Sequence, residues 1–103
     1  MSSPTQLSLA HMRSRGYLAA VTEHWNPFAK IRQDLFGILD LVCVNDKGTV
    51  GVQTTSYSNM ASRVTKIAES EATPFLRKAG WVLEVHGWRK VKNRWQVRVV
   101  DVS

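Results

Sequence analysis

Two β-prone runs, Leu35 to Val44 and Thr49 to Thr55, flank the tetrapeptide Asn45-Asp46-Lys47-Gly48. Those four residues tolerate positive φ, so the segment predicts a β-hairpin closed by a tight turn. With Asn45 and Gly48 as the last pair, carrying the register outward sets Asp40 opposite Gln53. Residues two apart on a strand share a face, so Gln53 and Thr55 project together and Asp40 joins them from the neighbouring strand. Ile38, Val42 and Val44 share that face with Asp40. A carboxylate in such an apolar row is costly unless something pairs with it.

The rest of the chain supplies elements around this hairpin. Pro4 followed by Gln6 to Arg15 predicts a first helix ended by Gly16, with Leu7, Leu9, Ala10 and Met12 as apolar contacts. Tyr17 to Val21 reads as a strand, and Thr22 to Gln33, which contains Asn26-Pro27, reads as a long basic and aromatic loop. Asn59 to Glu71 places Met60, Val64, Ile67 and Ala68 on one helical face. Thr73-Pro74 opens a second short helix that Gly80 closes. Trp81 to His86 and Arg94 to Val102 alternate as two further strands around a loop from Gly87 to Asn93. The expectation is an α/β fold, a single mixed β-sheet with flanking helices in the order αβββααββ, forming one domain over residues 1–103.

Charge is the first pointer to a partner. Fourteen Lys and Arg against eight Asp and Glu give a net charge of +6, which favours a polyanion. Trp25, Trp88 and Trp95 each lie within a few residues of Lys or Arg, as a groove that stacks bases and neutralises phosphates requires. Trp81 and Trp95 equally suit a core. The single cysteine, Cys43, lies in an apolar run and reads as a buried thiol in a reducing, cytoplasmic setting. The polar start Met1-Ser2-Ser3-Pro4-Thr5-Gln6 lacks a secretory pattern, and no run is long enough to span a membrane.

The patch around Asp40, Gln53 and Thr55 suits a divalent cation. Mg²⁺ takes one or two carboxylates plus other oxygens and water, and Asp34 or Glu23 is close enough in sequence to add a second carboxylate. The alternative is an Asp40 satisfied by an arginine or by backbone amides at a strand end. His11, His24, His86 and Cys43 show no zinc-type spacing, and no Gly-rich phosphate loop or G-x-S-x-G elbow is present. His86, on an alternating strand, reads as structural.

Asp40 in Gly37-Ile38-Leu39-Asp40, then a turn, then Gly51-Val52-Gln53-Thr54-Thr55 and a helix with Arg63 and Lys66, resembles the D…(D/E)xK core of the PD-(D/E)xK nuclease superfamily. The likeness is nearest to its small Holliday-junction-resolvase-like and phage VRR-Nuc-like branches. Element order matches over roughly residues 5 to 100, and the sharp motif content lies within residues 34 to 66. Gln53 stands where the family has a metal-binding carboxylate, and Thr55 where it has a lysine. The family's first-helix glutamate has no counterpart, Gln6 being the nearest residue in kind.

The resemblance implies a restriction-endonuclease-like core and Mg²⁺- or Mn²⁺-dependent hydrolysis of DNA. Its implied site comprises Asp40, Gln53 and Thr55, with Lys66 or Arg63 replacing the lysine from the following helix and Asp34 or Glu23 completing the metal ligands. His24, Trp25, Lys30 and Arg32 would grip DNA beside the site, and Arg89, Lys90, Lys92 and Arg94 would form a second basic cluster. A homodimer is the expected assembly. A module that keeps the fold and binds nucleic acid without cutting it is the alternative.

Overall fold

The computed structural model describes residues 3–103, so Met1 and Ser2 of the polar start lie outside the described residues. The elements are α1 (Pro4–Ser14), β1 (Leu18–Val21), β2 (His24–Asn26), β3 (Ile31–Gln33), β4 (Leu41–Asn45), β5 (Gly48–Ser56), α2 (Met60–Glu69), α3 (Thr73–Lys78), β6 (Val82–Val91) and β7 (Arg94–Asp101). This is an α/β protein with a five-stranded mixed sheet in the order β1-β4-β5-β6-β7 and a separate two-stranded sheet of β2 and β3. Only β5 and β6 run parallel, with α2 and α3 in the connection between them. A parallel pair requires such a crossover, whereas its antiparallel neighbours need only turns.

Helices cover both faces. Leu9 and Met12 of α1 pack on Ala19, Leu41, Cys43, Val50 and Val52. On the other face Met60 and Ile67 of α2 and Leu76 of α3 meet Ile38, Leu39, Leu83 and Val85. Alternation along β5 and β6 produces this division, since successive side chains point to opposite faces. α1 begins with a Ser3 cap that accepts a hydrogen bond from the Gln6 amide. It ends at Gly16, whose φ of +89° lets the Tyr17 amide turn back to the Met12 carbonyl at 3.2 Å. No helix among the described residues is long and apolar enough to cross a membrane.

The hairpin forms in the expected register, with Asn45 paired to Gly48 and Leu41 to Val52. Four sequence expectations need correction. The strand before the turn begins at Leu41, because Phe36 and Gly37 take positive φ and Leu35 bonds back to Leu39 in a tight loop. Ile38 and Leu39 are both buried in this loop. Val44, in the apolar row expected on the face of Asp40, is exposed at the far end of β4.

The segment Thr22 to Gln33 is not loop throughout. It holds the β2–β3 hairpin, with Trp25 opposite Arg32. Its turn is fastened by Asn26 Oδ1, which accepts from the Phe28 and Ala29 amides. The helix expected from Asn59 to Glu71 runs from Met60 to Glu69, after a single 3₁₀ turn over Tyr57–Asn59.

The loop expected from Gly87 to Asn93 is strand up to Val91, and only Lys92 and Asn93 turn, both at positive φ. Gly87 marks close packing, not a strand end: a Cβ there would lie 2.2 Å from Met60 Sδ. The glycine admits α2 onto β6.

Candidate metal centre

Strand β5 extends past the start of β4, so the last bond between them joins the Asp40 amide to the Val52 carbonyl at 2.8 Å. Beyond that point Thr54 would present an unpaired N–H inside the protein. Asp40 Oδ2 fills the gap, accepting from the Thr54 amide at 2.7 Å, from Thr54 Oγ1 at 3.0 Å and from Gln53 Nε2 at 2.7 Å. Because Thr54 Oγ1 gives its proton to Asp40, Thr5 Oγ1 of α1 must donate in their 3.0 Å contact. A chain of hydroxyls thus ties the start of α1 to Asp40.

All three of those hydrogen bonds fall on one oxygen. Gln53 uses its amide nitrogen on Asp40, and its Oε1 is buried with no partner among the described residues. Gln53 is only 2% exposed, and an unsatisfied buried oxygen costs about 1–3 kcal/mol. Arg63 Nε is buried and unpartnered in the same way. Both residues line a cleft of about 330 Å³ with Thr5, Glu23, Asp34, Asp40, Thr54 and Thr55.

Glu23, at the end of β1, and Asp34, after β3, bring two more carboxylates to Asp40. Oxygens of the three lie within 4.8 Å of one another. Burial, and the hydrogen bond and charge of Asp34 beside it, push the Asp40 carboxyl up to about 7 against the lowering effect of its Thr54 bonds. Two of the acids also face cations. Lys66 Nζ stands 3.4 Å from Asp34 Oδ2, and Arg32 Nη1 stands 3.3 Å from Glu23 Oε1.

A divalent ion fits this donor set. In an octahedral Mg²⁺ site adjacent ligands stand about 2.9 Å apart and opposed ones about 4.2 Å, so the carboxylates would have to close by up to about 2 Å to share one ion. Such an ion would also relieve the like-charge contact of Asp34 with Asp40 and give the buried Gln53 Oε1 a partner.

Neither comparison with known protein families nor comparison with curated proteins finds a match. The site is therefore read from its own geometry.

Of the residues singled out from sequence, Asp40, Gln53, Asp34 and Glu23 meet at the cleft, and Thr55 and Arg63 line it. Lys66 does not line it. It reaches Asp34 from a neighbouring groove walled by His24, Arg32, Gln33, Asp34 and Gly37. Trp25, Lys30 and Arg32 lie on the exposed β2–β3 hairpin, and Arg89, Lys90 and Arg94 on the β6–β7 hairpin. The contact to Asp40 comes from Thr54, not from Thr55, and sequence reasoning passed over Thr54 and Thr5. The sequence carries no signal for Thr54, because the contact depends on β4 pairing only from Leu41, one residue after Asp40, and so leaving this stretch of β5 without a partner strand.

Proposed function

We propose that this chain is a metal-dependent DNA endonuclease with a restriction-endonuclease-like core, acting on phosphodiester bonds at the Asp40 cleft. The observation that carries the reading is the convergence of the Glu23, Asp34 and Asp40 carboxylates within 4.8 Å, beside the buried and unpartnered Gln53 Oε1. With the β2–β3 hairpin set apart, the main sheet takes β1, β4 and β5 after α1 before a helical crossover to the parallel β6, and this agreement with the element order of the resemblance supports the same reading.

Asp40, Asp34 and Glu23 would hold Mg²⁺ or Mn²⁺, with Gln53 Oε1 as a neutral fourth oxygen. When bound there, the cation supplies Lewis acidity and positive charge toward a phosphodiester. Thr54 and Gln53 fix the Asp40 carboxylate through Oδ2. Lys66 and Arg32 offset the charge of Asp34 and Glu23. Arg63, which forms no salt bridge among the described residues, faces the cleft as the group that grips a substrate phosphate.

A second reading, a module that binds nucleic acid without cutting it, draws on one specific observation. Asp40 Oδ2 already has a structural task on the Thr54 amide. An assay on branched, duplex and single-stranded DNA with Mg²⁺ or Mn²⁺ separates the two. Cleavage by the wild type, reduced about 10²–10³-fold in Asp34→Asn, is the expected result. Binding with no cleavage of any substrate would leave only the second reading.

A further inference from the structure

Residues 85 to 100 hold five of the fourteen basic residues, Arg89, Lys90, Lys92, Arg94 and Arg98, and none of the eight acidic ones. Outside this stretch basic and acidic residues nearly balance, so the net positive charge of the chain resides on the β6–β7 hairpin. None of the five forms a salt bridge among the described residues, in contrast to Arg32 and Lys66. The last pair between β5 and β6 is Ser56 with Trp88. From there Arg89 to Val91 pair only with Arg94 to Gln96, so the hairpin projects past the sheet as a two-stranded ribbon, by about 10 Å.

We infer that this ribbon is an arm that binds duplex DNA, with Arg89, Arg94 and Arg98 contacting its phosphates. Alternation puts Arg94, Gln96 and Arg98 on one face, and Arg89 joins them opposite Gln96. Arg89 is held in place, its guanidinium 4.4 Å above the Tyr57 ring and its Nε donating to Gln96 Oε1 at 3.2 Å. The three basic residues of the row are all arginine, whose planar fork matches phosphate oxygens two at a time.

The duplex follows from what the aromatic rings are doing. Single-strand binders offer bases open ring faces. Here Arg89 covers Tyr57, and Lys90 lies 5.6 Å above Trp95. A two-stranded ribbon does fit the roughly 12 Å width of the major groove. Because β5 and β6 are parallel, the arm leaves the same edge of the sheet at which Gln53 to Ser56 line the acidic cleft. Only the idea that the arm presents DNA to that cleft depends on the proposed activity. Binding by the arm does not.

The test is fluorescence anisotropy on the full chain with a 20-base-pair duplex and a single strand of equal length, in EDTA so that no cleavage intervenes. The wild type is expected to prefer duplex. The triple variant Arg89→Ala, Arg94→Ala, Arg98→Ala should lose at least about tenfold in affinity and about three units in the slope of log K against log salt. The control triple Arg13→Ala, Lys47→Ala, Lys78→Ala removes equal charge from other exposed positions and should change the slope by less than about one. Should the alanine arm variant fail to fold, the corresponding Arg→Gln triple replaces it. An arm variant with wild-type affinity and slope, an equal loss in the control, or tighter binding to the single strand would each overturn the assignment.

Discussion

The sheet buries one polar cluster around Asp40 and another around Glu84, and the two are satisfied in opposite ways. On the α1 face, Glu84 Oε1 lies 3.2 Å from Arg15 Nη1 and 2.9 Å from His86 Nε2. His86 Nδ1 meets Ser8 Oγ at 2.9 Å, and Trp88 Nε1 donates to the same hydroxyl at 2.8 Å. With Glu84 ionised, His86 donates from Nε2 and accepts at Nδ1, Ser8 donates to it, and Trp88 donates to Ser8. Every proton has a place. The bonds from His86 and Arg15 hold the Glu84 carboxyl below its usual range despite burial.

Ser8, His86 and Glu84 follow the hydrogen-bond order of a hydrolytic triad, yet Ser8 and His86 are 0% exposed. The cluster is structural, as the position of His86 on an alternating strand suggests. Around Asp40 the bookkeeping does not close. Three donors crowd one oxygen, two further acids approach, and Gln53 Oε1 and Arg63 Nε stay unpartnered. A closed network holds a fold together, and an open one beside solvent is built for something else.

This contrast can be broken in several places. His86→Ala removes the centre of the closed network and should cost about 3 kcal/mol, read as a fall of more than about 10 °C in Tm. Cleavage per folded molecule should not change. A smaller but more diagnostic effect is expected from pH. The folded Asp40 carboxyl is raised from 3.8 to about 7, so between these values the native state holds a proton that the unfolded state has released. Metal-free protein should therefore gain stability as pH falls from 7 toward 4, relative to Asp40→Asn.

That gain should be about 2 kcal/mol, less than the full shift implies because the cleft is open to water. Glu84, held below its ordinary value of 4.5, begins to lose its contribution only near the acid end of that window, and does so equally in both proteins. His11, lowered mainly by burial, opposes the trend equally in both proteins and cancels in the difference. An Asp40→Asn difference that does not vary with pH would contradict the open-network account.

Gln53→Glu restores a carboxylate at the neutral position. It should tighten Mn²⁺ by about tenfold in calorimetry while lowering the Tm of the metal-free protein. Thr5→Val severs only the far end of the hydroxyl chain and should cost about 1 kcal/mol.

The sequence carried the hairpin register, the helix after it and both glycine-ended helices, because these depend on local turn chemistry and periodicity. The same register sufficed to place Gln53 against Asp40. It did not show that Gly87 lies mid-strand, since the reason is Met60 packing across from α2. Nor did it show that Asp40 spends one oxygen on Thr54, which depends on how far β5 outruns β4. Asp34 and Glu23 were legible only as nearby acids. What brings them to Asp40 is the β2–β3 hairpin, whose short strands lie hidden in an aromatic and basic stretch without clear alternation.

The open network at the Asp40 cleft is proposed to hold a divalent cation. Titrating Mn²⁺ against the protein and following free Mn²⁺ by electron paramagnetic resonance tests it directly. One ion bound per chain, lost in Asp34→Asn and retained in His86→Ala, is the result expected. A free-ion signal that the wild type leaves unchanged, or that Asp34→Asn depletes equally well, would contradict it.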